Sequence, residues 1–221
     1  MDLHPYDTID DLARTIPVFP LSGALLLPRG RLPLNIFEPR YLSMVDDALA
    51  HHRLIGMVQP RQPDDRASRP EVYDLGCVGR LTGFNEVPDG RYMITLTGVC
   101  RFRIENELET VTPYRQMAVD YDAFARDLDA SSDEPVIDRD ELVGNLKAYL
   151  ETFDLQADWD SIAQAPLETL INSLSMICPF EAGEKQALLE APTVKGRAEA
   201  LVALLKIATA KGDTDEDMPV Q

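Results

Sequence analysis

The stretch CVGRLTGFNEVPDGRYMITLTGVCRFRIENELE (Cys77–Glu109) limits the fold more than any other part of the chain. Two long strand-like arms flank Pro88-Asp89-Gly90, and a glycine in such a turn takes the left-handed conformation that closes a hairpin. In the second arm Tyr92, Ile94 and Leu96 alternate with Met93, Thr95 and Thr97. Beyond Gly98 the apolar set shifts phase to Cys100, Phe102 and Ile104, with Arg101 and Arg103 opposite. A phase change at a glycine predicts a bulge or bend, the device that curls a sheet toward a barrel. Centring the hairpin on Asp89 sets position 77 opposite 101, so Cys77 and Cys100 are expected to be near neighbours. Cys77, Cys100 and Cys178 are odd in number and far apart, without the close pairs of zinc or redox motifs. Buried thiols are the expected state.

The segment before the hairpin is punctuated by proline. TIPVFPL and GALLLPRGRLPLNIF are short apolar runs broken by Pro17, Pro20, Pro28 and Pro33. Each proline removes a ladder donor, so edge strands, strand ends or bulges are predicted there, with ALLLP as a buried strand. From Pro39 the period becomes helical. Tyr41, Leu42, Val45, Ala48 and Leu49 share one face, Pro39 suits the first helical position, and His51 or His52 ends the helix. LIGMVQ returns to strand character, and PRQPDDRASRPE is a polar loop.

After about Tyr121 the composition changes. The chain carries a net charge of -17. Residues 1–120 hold 13 cations, all arginine, against 17 acids, whereas residues 121–221 hold 8 cations against 21 acids. Neither part has the cationic excess that binding to phosphate backbones requires. Helical stripes follow at Leu142, Val143, Leu146, Tyr149, Leu150 and Phe153, and at Leu167, Leu170, Ile171, Leu174 and Ile177. A short helix over GEKQALLEA and a last one capped by Thr193 and stopped at Gly212 complete a bundle of four. Trp159 is expected to anchor its core. The organisation read from this is a flexible 1–14, a β-rich domain 15–120, an acidic connector 121–137, a helical bundle 138–211 and a disordered acidic tail 212–221.

Chemistry is sparse. No G-x-x-x-x-G-K-[ST], G-x-G-x-x-G or G-x-S-x-G pattern occurs, and the five lysines all lie in the second part of the chain. His51 and His52 point about 100° apart on a helix and do not grip one metal. The acidic runs lack the ligand spacing and glycine of a calcium loop. No cofactor or metal is expected and no catalytic residue is assigned. An acidic N-terminus without signal-peptide organisation, and no apolar run near the ~18 residues of a membrane span, lead to the expectation of a cytoplasmic protein with no membrane partner.

FPLSGALLLPRGRLPLNIFEPRYLSMV resembles the opening signature of the N-terminal domain of Lon proteases, through Phe19, Pro20, Leu21, Leu27, Pro28, Pro33, Leu34, Ile36, Phe37, Glu38, Pro39, Arg40, Tyr41, Met44 and Val45. VGRLTGF, PDGRYMITLTGVCRFRI and, more loosely, EKQALLEAPTVKGRAEAL fall where that family has its hairpin and helices. The resemblance spans residues 15–210. It implies an α+β fold: a PUA-like β pseudo-barrel with one inserted helix, followed by a four-helix bundle. It also implies a non-catalytic module that recognises polypeptide substrates or a proteolytic or chaperone partner, since a full Lon protease continues into ATPase and serine-lysine peptidase modules and these 221 residues end before either. An RNA-binding PUA-like protein and a small-molecule enzyme using the barrel mouth are the competing readings.

The family-motif residues Pro20, Pro33, Phe37, Glu38, Pro39, Arg40, Tyr41, Gly98 and Arg101 are read as structural. Arg40 breaks a local rule, because a cation in a helix's first turn opposes the macrodipole. A carboxylate from another part of the fold is expected to hold it, making this corner a joint between helix and barrel.

Overall fold

The computed structural model describes residues 6–62, 69–129 and 137–216, with 213–216 described by backbone alone. In chain order the elements are β1 (Thr15–Pro20), β2 (Arg31–Ile36), α1 (Pro39–Ala50), β3 (Leu54–Val58), β4 (Leu75–Glu86), β5 (Tyr92–Glu107), β6 (Arg115–Asp120), α2 (Arg139–Thr152), α3 (Trp159–Gln164), α4 (Leu167–Ile177), α5 (Ala182–Glu190) and α6 (Val194–Glu216). Short 3-10 turns cover Ile9–Asp11 and Asp122–Asp127.

The sheet order is β2-β5-β4-β3-β1-β6, and β6 also pairs with β5, so five strands close a ring and β2 hangs outside it. The long β5 makes this possible. β4 pairs with it from Tyr92 to Arg103, while on its other edge β2 takes Tyr92–Thr97 and β6 takes Arg103–Glu107. The change of partner falls at the predicted bulge. Gly79 faces Gly98 but Val78 faces Cys100, leaving Val99 as the extra residue, and a second slip at Thr82 on β4 restores the register centred on Asp89. Gly90, at φ 82, closes the turn. Gly98 donates to the Gly30 carbonyl and accepts from the Arg29 amide, both at 2.8 Å. A Cβ there would lie 2.0 Å from the Leu27 carbonyl oxygen, so only glycine lets the 25–30 loop clamp across β5.

Cys77 faces Arg101 across the ladder, as the centring predicts, and Val78 faces Cys100. Alternation therefore sends the two thiols to opposite faces. Cys100 packs with Ile16, Val18, Phe102, Met117 and Tyr121 in the core inside the ring, whereas Cys77 joins the second core outside it. All three cysteines are buried and free, and burial pushes their thiols up.

Several expectations are corrected. β1 is an interior strand, because its ladders are staggered: β6 takes Thr15–Val18 and β3 takes Val18–Pro20. Pro17 thus lies before the β3 ladder begins and Pro20 ends the strand, so neither interrupts both ladders. Leu25, Leu26 and Leu27 are buried as expected but form no strand, since their loop is held by Gly98 instead of a ladder. Among the described residues five α-helices, not four, follow β6, because Asp158 caps the six-residue α3 by accepting from the Asp160 and Ser161 amides. The last helix runs through Gly212 to Glu216. A glycine in a helix costs only about 1 kcal/mol, and here the helix packs against Thr152 and Phe153. Residues 217–221 lie outside the described residues.

The outer core is continuous with the helices: Leu26, Ile55 and Cys77 of the β-rich part share one cluster with Leu142, Leu170, Leu188 and Leu205. Buried polar groups fasten the same contact. Arg101, expected on an outward face, is covered by the helical half. Its guanidinium forks onto both oxygens of Asp127 at 2.8 Å and donates to the Leu189 and Ala191 carbonyls at 3.2 and 2.7 Å. Burial alone would lower its pKa; the Asp127 carboxylate raises it instead. Lys185 donates to the carbonyls of Gly23 and Met176, Asn172 to that of Pro28, and Arg29 pairs with Glu168. Arg197 reaches the Asn172 side-chain oxygen at 2.8 Å; burial, with repulsion from Arg101, lowers its pKa to about 10.

Candidate functional site

Two concave surfaces attract attention, one in the helical half and one at the Phe-Glu-Pro-Arg-Tyr corner. The first is a groove of about 640 Å³ between α2, α3 and α4. Leu146, Tyr149 and Leu150 meet along α2 at three- and four-residue spacing, and Leu170, Leu174 and Ile177 do so along α4. Asp154, with φ 50, turns the chain out of α2 and brings Leu155 to the rim. Ile162 of α3 closes one end, where Arg139 donates to the carbonyls of Ile162, Ala163 and Ala165.

Several apolar side chains at or beside the groove are exposed. Ile177 is 77% exposed, Leu155 47%, and Trp159, expected to anchor the core, is 42% exposed. The Trp159 and Ile177 expectations are thus corrected, and for Ile177 the reason lies in α4. At 100° per residue the α4 stripe is wider than a single buried face. Leu167, Leu170 and Ile171 belong to the shared core, and from Leu170 the stripe continues through Leu174 and Ile177 into the sector that walls the groove. The width of that stripe was the sequence signal for a second apolar face. Asp158 is the charged residue in the lining, and hydrogen bonds from the Ser161 hydroxyl and amide lower its pKa.

At the corner, Pro20, Phe37, Glu38, Arg40 and Tyr41 line a cleft of about 330 Å³. Pro39 occupies the first turn of α1, and the Glu38 carbonyl accepts from the amides of Tyr41 and Leu42. Arg40 donates through Nε and Nη2 to Glu38 Oε2 at 3.0 and 2.8 Å, and its guanidinium lies 4.5 Å from the centre of the Tyr41 ring. One carboxylate holding Arg40 therefore belongs to its own motif. Pairing Glu38 and Arg40 across the helix start places an anion beside the cation that the helix dipole disfavours. Tyr41 is buried against Phe19, with ring centres 4.2 Å apart, and burial raises its pKa. Phe37 points outward, 63% exposed. The other motif residues lie apart: Pro33 is exposed on the edge strand β2, and Gly98 and Arg101 sit on β5 at the loop clamp and the helix contact.

This arrangement is shared with known proteins. Residues 15–206 match the profile of the family described as the ATP-dependent protease La (LON) substrate-binding domain. The chain belongs to that family. Lon protease 2 of Sorangium cellulosum is 28% identical over 203 residues, 87% of this chain and 24% of that protein. The Lon protease of Dictyoglomus thermophilum is 26% identical over 209 residues, 89% of this chain and 25% of that protein. The chain thus spans about a quarter of the length of these Lon relatives. The crystal structure of a Lon N-terminal domain protein from Xanthomonas campestris superimposes with a TM-score of 0.61 at 22% identity, covering 86% of this chain and 97% of that one. The N-terminal domain of the Mycobacterium avium complex Lon protease gives 0.60 at 14% identity, covering 87% and 98%. At such identities the likeness establishes the fold: a mixed α+β Lon N-terminal architecture.

Among the described residues no cluster of three or more His, Cys, Asp or Glu is placed to hold a metal, and no helix is long and apolar enough to cross a membrane. What the groove offers chemically is a mainly apolar surface for apolar side chains.

Proposed function

We propose that this Lon-family domain is a non-catalytic recognition module that binds polypeptide segments through the groove between α2 and α4. The observation that carries this reading is the exposure of Leu155 and Ile177 in the lining of an apolar concavity of about 640 Å³, with Trp159 exposed next to the lining residue Asp158. Scattered exposed apolar residues are ordinary, but a contiguous set around a concavity marks an interaction surface. The family description, a substrate-binding domain, supports a polypeptide ligand. The net charge of -17 supports a protein ligand over RNA. The five-stranded ring with α1 inserted between β2 and β3 is read as a PUA-like pseudo-barrel that holds the helical half in place. Three free, buried thiols fit a reducing, cytoplasmic setting.

Trp159, the single tryptophan, directly follows the groove-lining Asp158 and provides the readout. Titration with an unstructured peptide rich in leucine and phenylalanine should shift its emission. A peptide with serine at those positions should leave it unchanged, and Ile177→Glu should weaken binding of the first by roughly tenfold. Equal responses to the two peptides would refute the reading.

A further inference from the structure

The groove is apolar inside, and the exposed charges along most of its walls are acidic. From Glu151 to Glu181, which covers most of its walls, the sequence contains six acidic residues and no lysine or arginine. Glu168 is engaged by Arg29 on the far side. The remaining five, Glu151, Asp154, Asp158, Asp160 and Glu181, are exposed. On the preceding turns of α2, Lys147 stands at 4.0 Å from Glu151 and Arg139 is committed to the carbonyls behind α3. Asp158 lines the groove itself, and the other four lie close to lining residues in sequence, so the exposed charge nearest the groove is mostly negative.

We propose that the groove selects polypeptide segments whose apolar side chains are flanked by lysine or arginine. This rests on the preceding functional reading and adds the sign of the flanking charge. The apolar residues of the segment fill the space between Leu146, Tyr149, Leu150, Leu170 and Leu174, and the cations on either side lie against the acidic rim. A second copy of this chain is a poor occupant, since it brings the same rim and the same net charge of -17. An anionic lipid surface is repelled for the same reason. Rim charges act on encounter rate and partner choice more than on total affinity, so the effect is one of discrimination and is sensitive to salt.

The test compares three fluorescently labelled peptides by anisotropy: one leucine/phenylalanine core flanked by lysines, the same core flanked by glutamates, and a serine-substituted core flanked by lysines. At low salt the lysine-flanked apolar peptide should bind roughly five- to tenfold more tightly than the glutamate-flanked one, and about 1 M salt should remove most of that difference. The triple variant Glu151→Gln/Asp154→Asn/Asp160→Asn should reduce the discrimination while preserving binding of the apolar core. Equal affinity for the two apolar peptides at low salt overturns the proposal and leaves the groove reading standing. Equal binding of the lysine-flanked serine and apolar peptides overturns both, because attraction would then be charge alone. Self-association that masks the peptide signal and vanishes on dilution would assign the groove to a second copy and also overturn it.

Discussion

The contact around Arg101 and the groove beside Ile177 are both places where the helices of this chain meet something, and they are built in opposite ways. At Arg101 a buried cation has a two-pronged carboxylate partner and two backbone carbonyls, and the apolar residues around it belong to one continuous core. At Ile177 the apolar wall faces solvent and the exposed charged residues from Glu151 to Glu181 are all acidic. The difference separates fastening from recognition. A contact whose polar groups are saturated has nothing left to offer a ligand, whereas a wall with uncovered apolar residues and same-sign charges does. The Phe37 corner stands between them. Its Arg40 is partnered within the motif while Phe37 remains exposed.

Breaking the fastened side should give the largest effect. Arg101→Ala leaves Asp127 buried without its partner and should cost about 3–5 kcal/mol in urea unfolding. The paired change Arg101→Met/Asp127→Leu should recover much of this, since apolar replacement of a buried ion pair is often neutral. A loss within about 0.5 kcal/mol for the single variant would mean that this contact fastens nothing. Gly98→Ala comes next. Its Cβ would lie 2.0 Å from the Leu27 carbonyl oxygen, so the loop must move, with an expected loss of about 1–3 kcal/mol by the same measurement.

On the recognition side, Ile177→Glu should leave stability within about 0.5 kcal/mol while weakening the apolar peptide. A large loss of stability there would erase the distinction between the two regions. The smallest effect concerns acid. Asp158 has its pKa lowered below 3.8 by hydrogen bonds from Ser161, so the folded state binds that proton less readily than the unfolded chain. Its contribution is present above the ordinary carboxylate value and is lost as pH falls through the folded one. Emission from Trp159 should therefore show a local acid step as α3 loses its cap, and Asp158→Asn, which keeps an acceptor without titrating, should remove it.

The hairpin was legible because its information is local. Alternation, the Pro88-Asp89-Gly90 turn and the phase change at Gly98 together specify strand, register and bulge. α1 was legible from Pro39 and one apolar stripe. What escaped depends on distant partners. That Arg101 is inside follows only once the helices are seen to cover that face of β5. That β1 is interior follows from the staggered ladders of β3 and β6, which leave room for Pro17. α3 is too short for periodicity to register, and its cap, Asp158, reads in sequence as one more acid among many. The groove was hidden in plain composition: Leu174 and Ile177 look like the continuation of a core stripe until Leu167, Leu170 and Ile171 are seen to be the buried part of it.

Residue-resolved hydrogen exchange with and without the lysine-flanked leucine/phenylalanine peptide tests the division most directly. Protection should increase along Leu146–Leu150 and Leu170–Cys178, with little change at Cys100–Phe102. Protection confined to Phe37–Tyr41, with α2 and α4 unchanged, would contradict the account and move recognition to the other cleft.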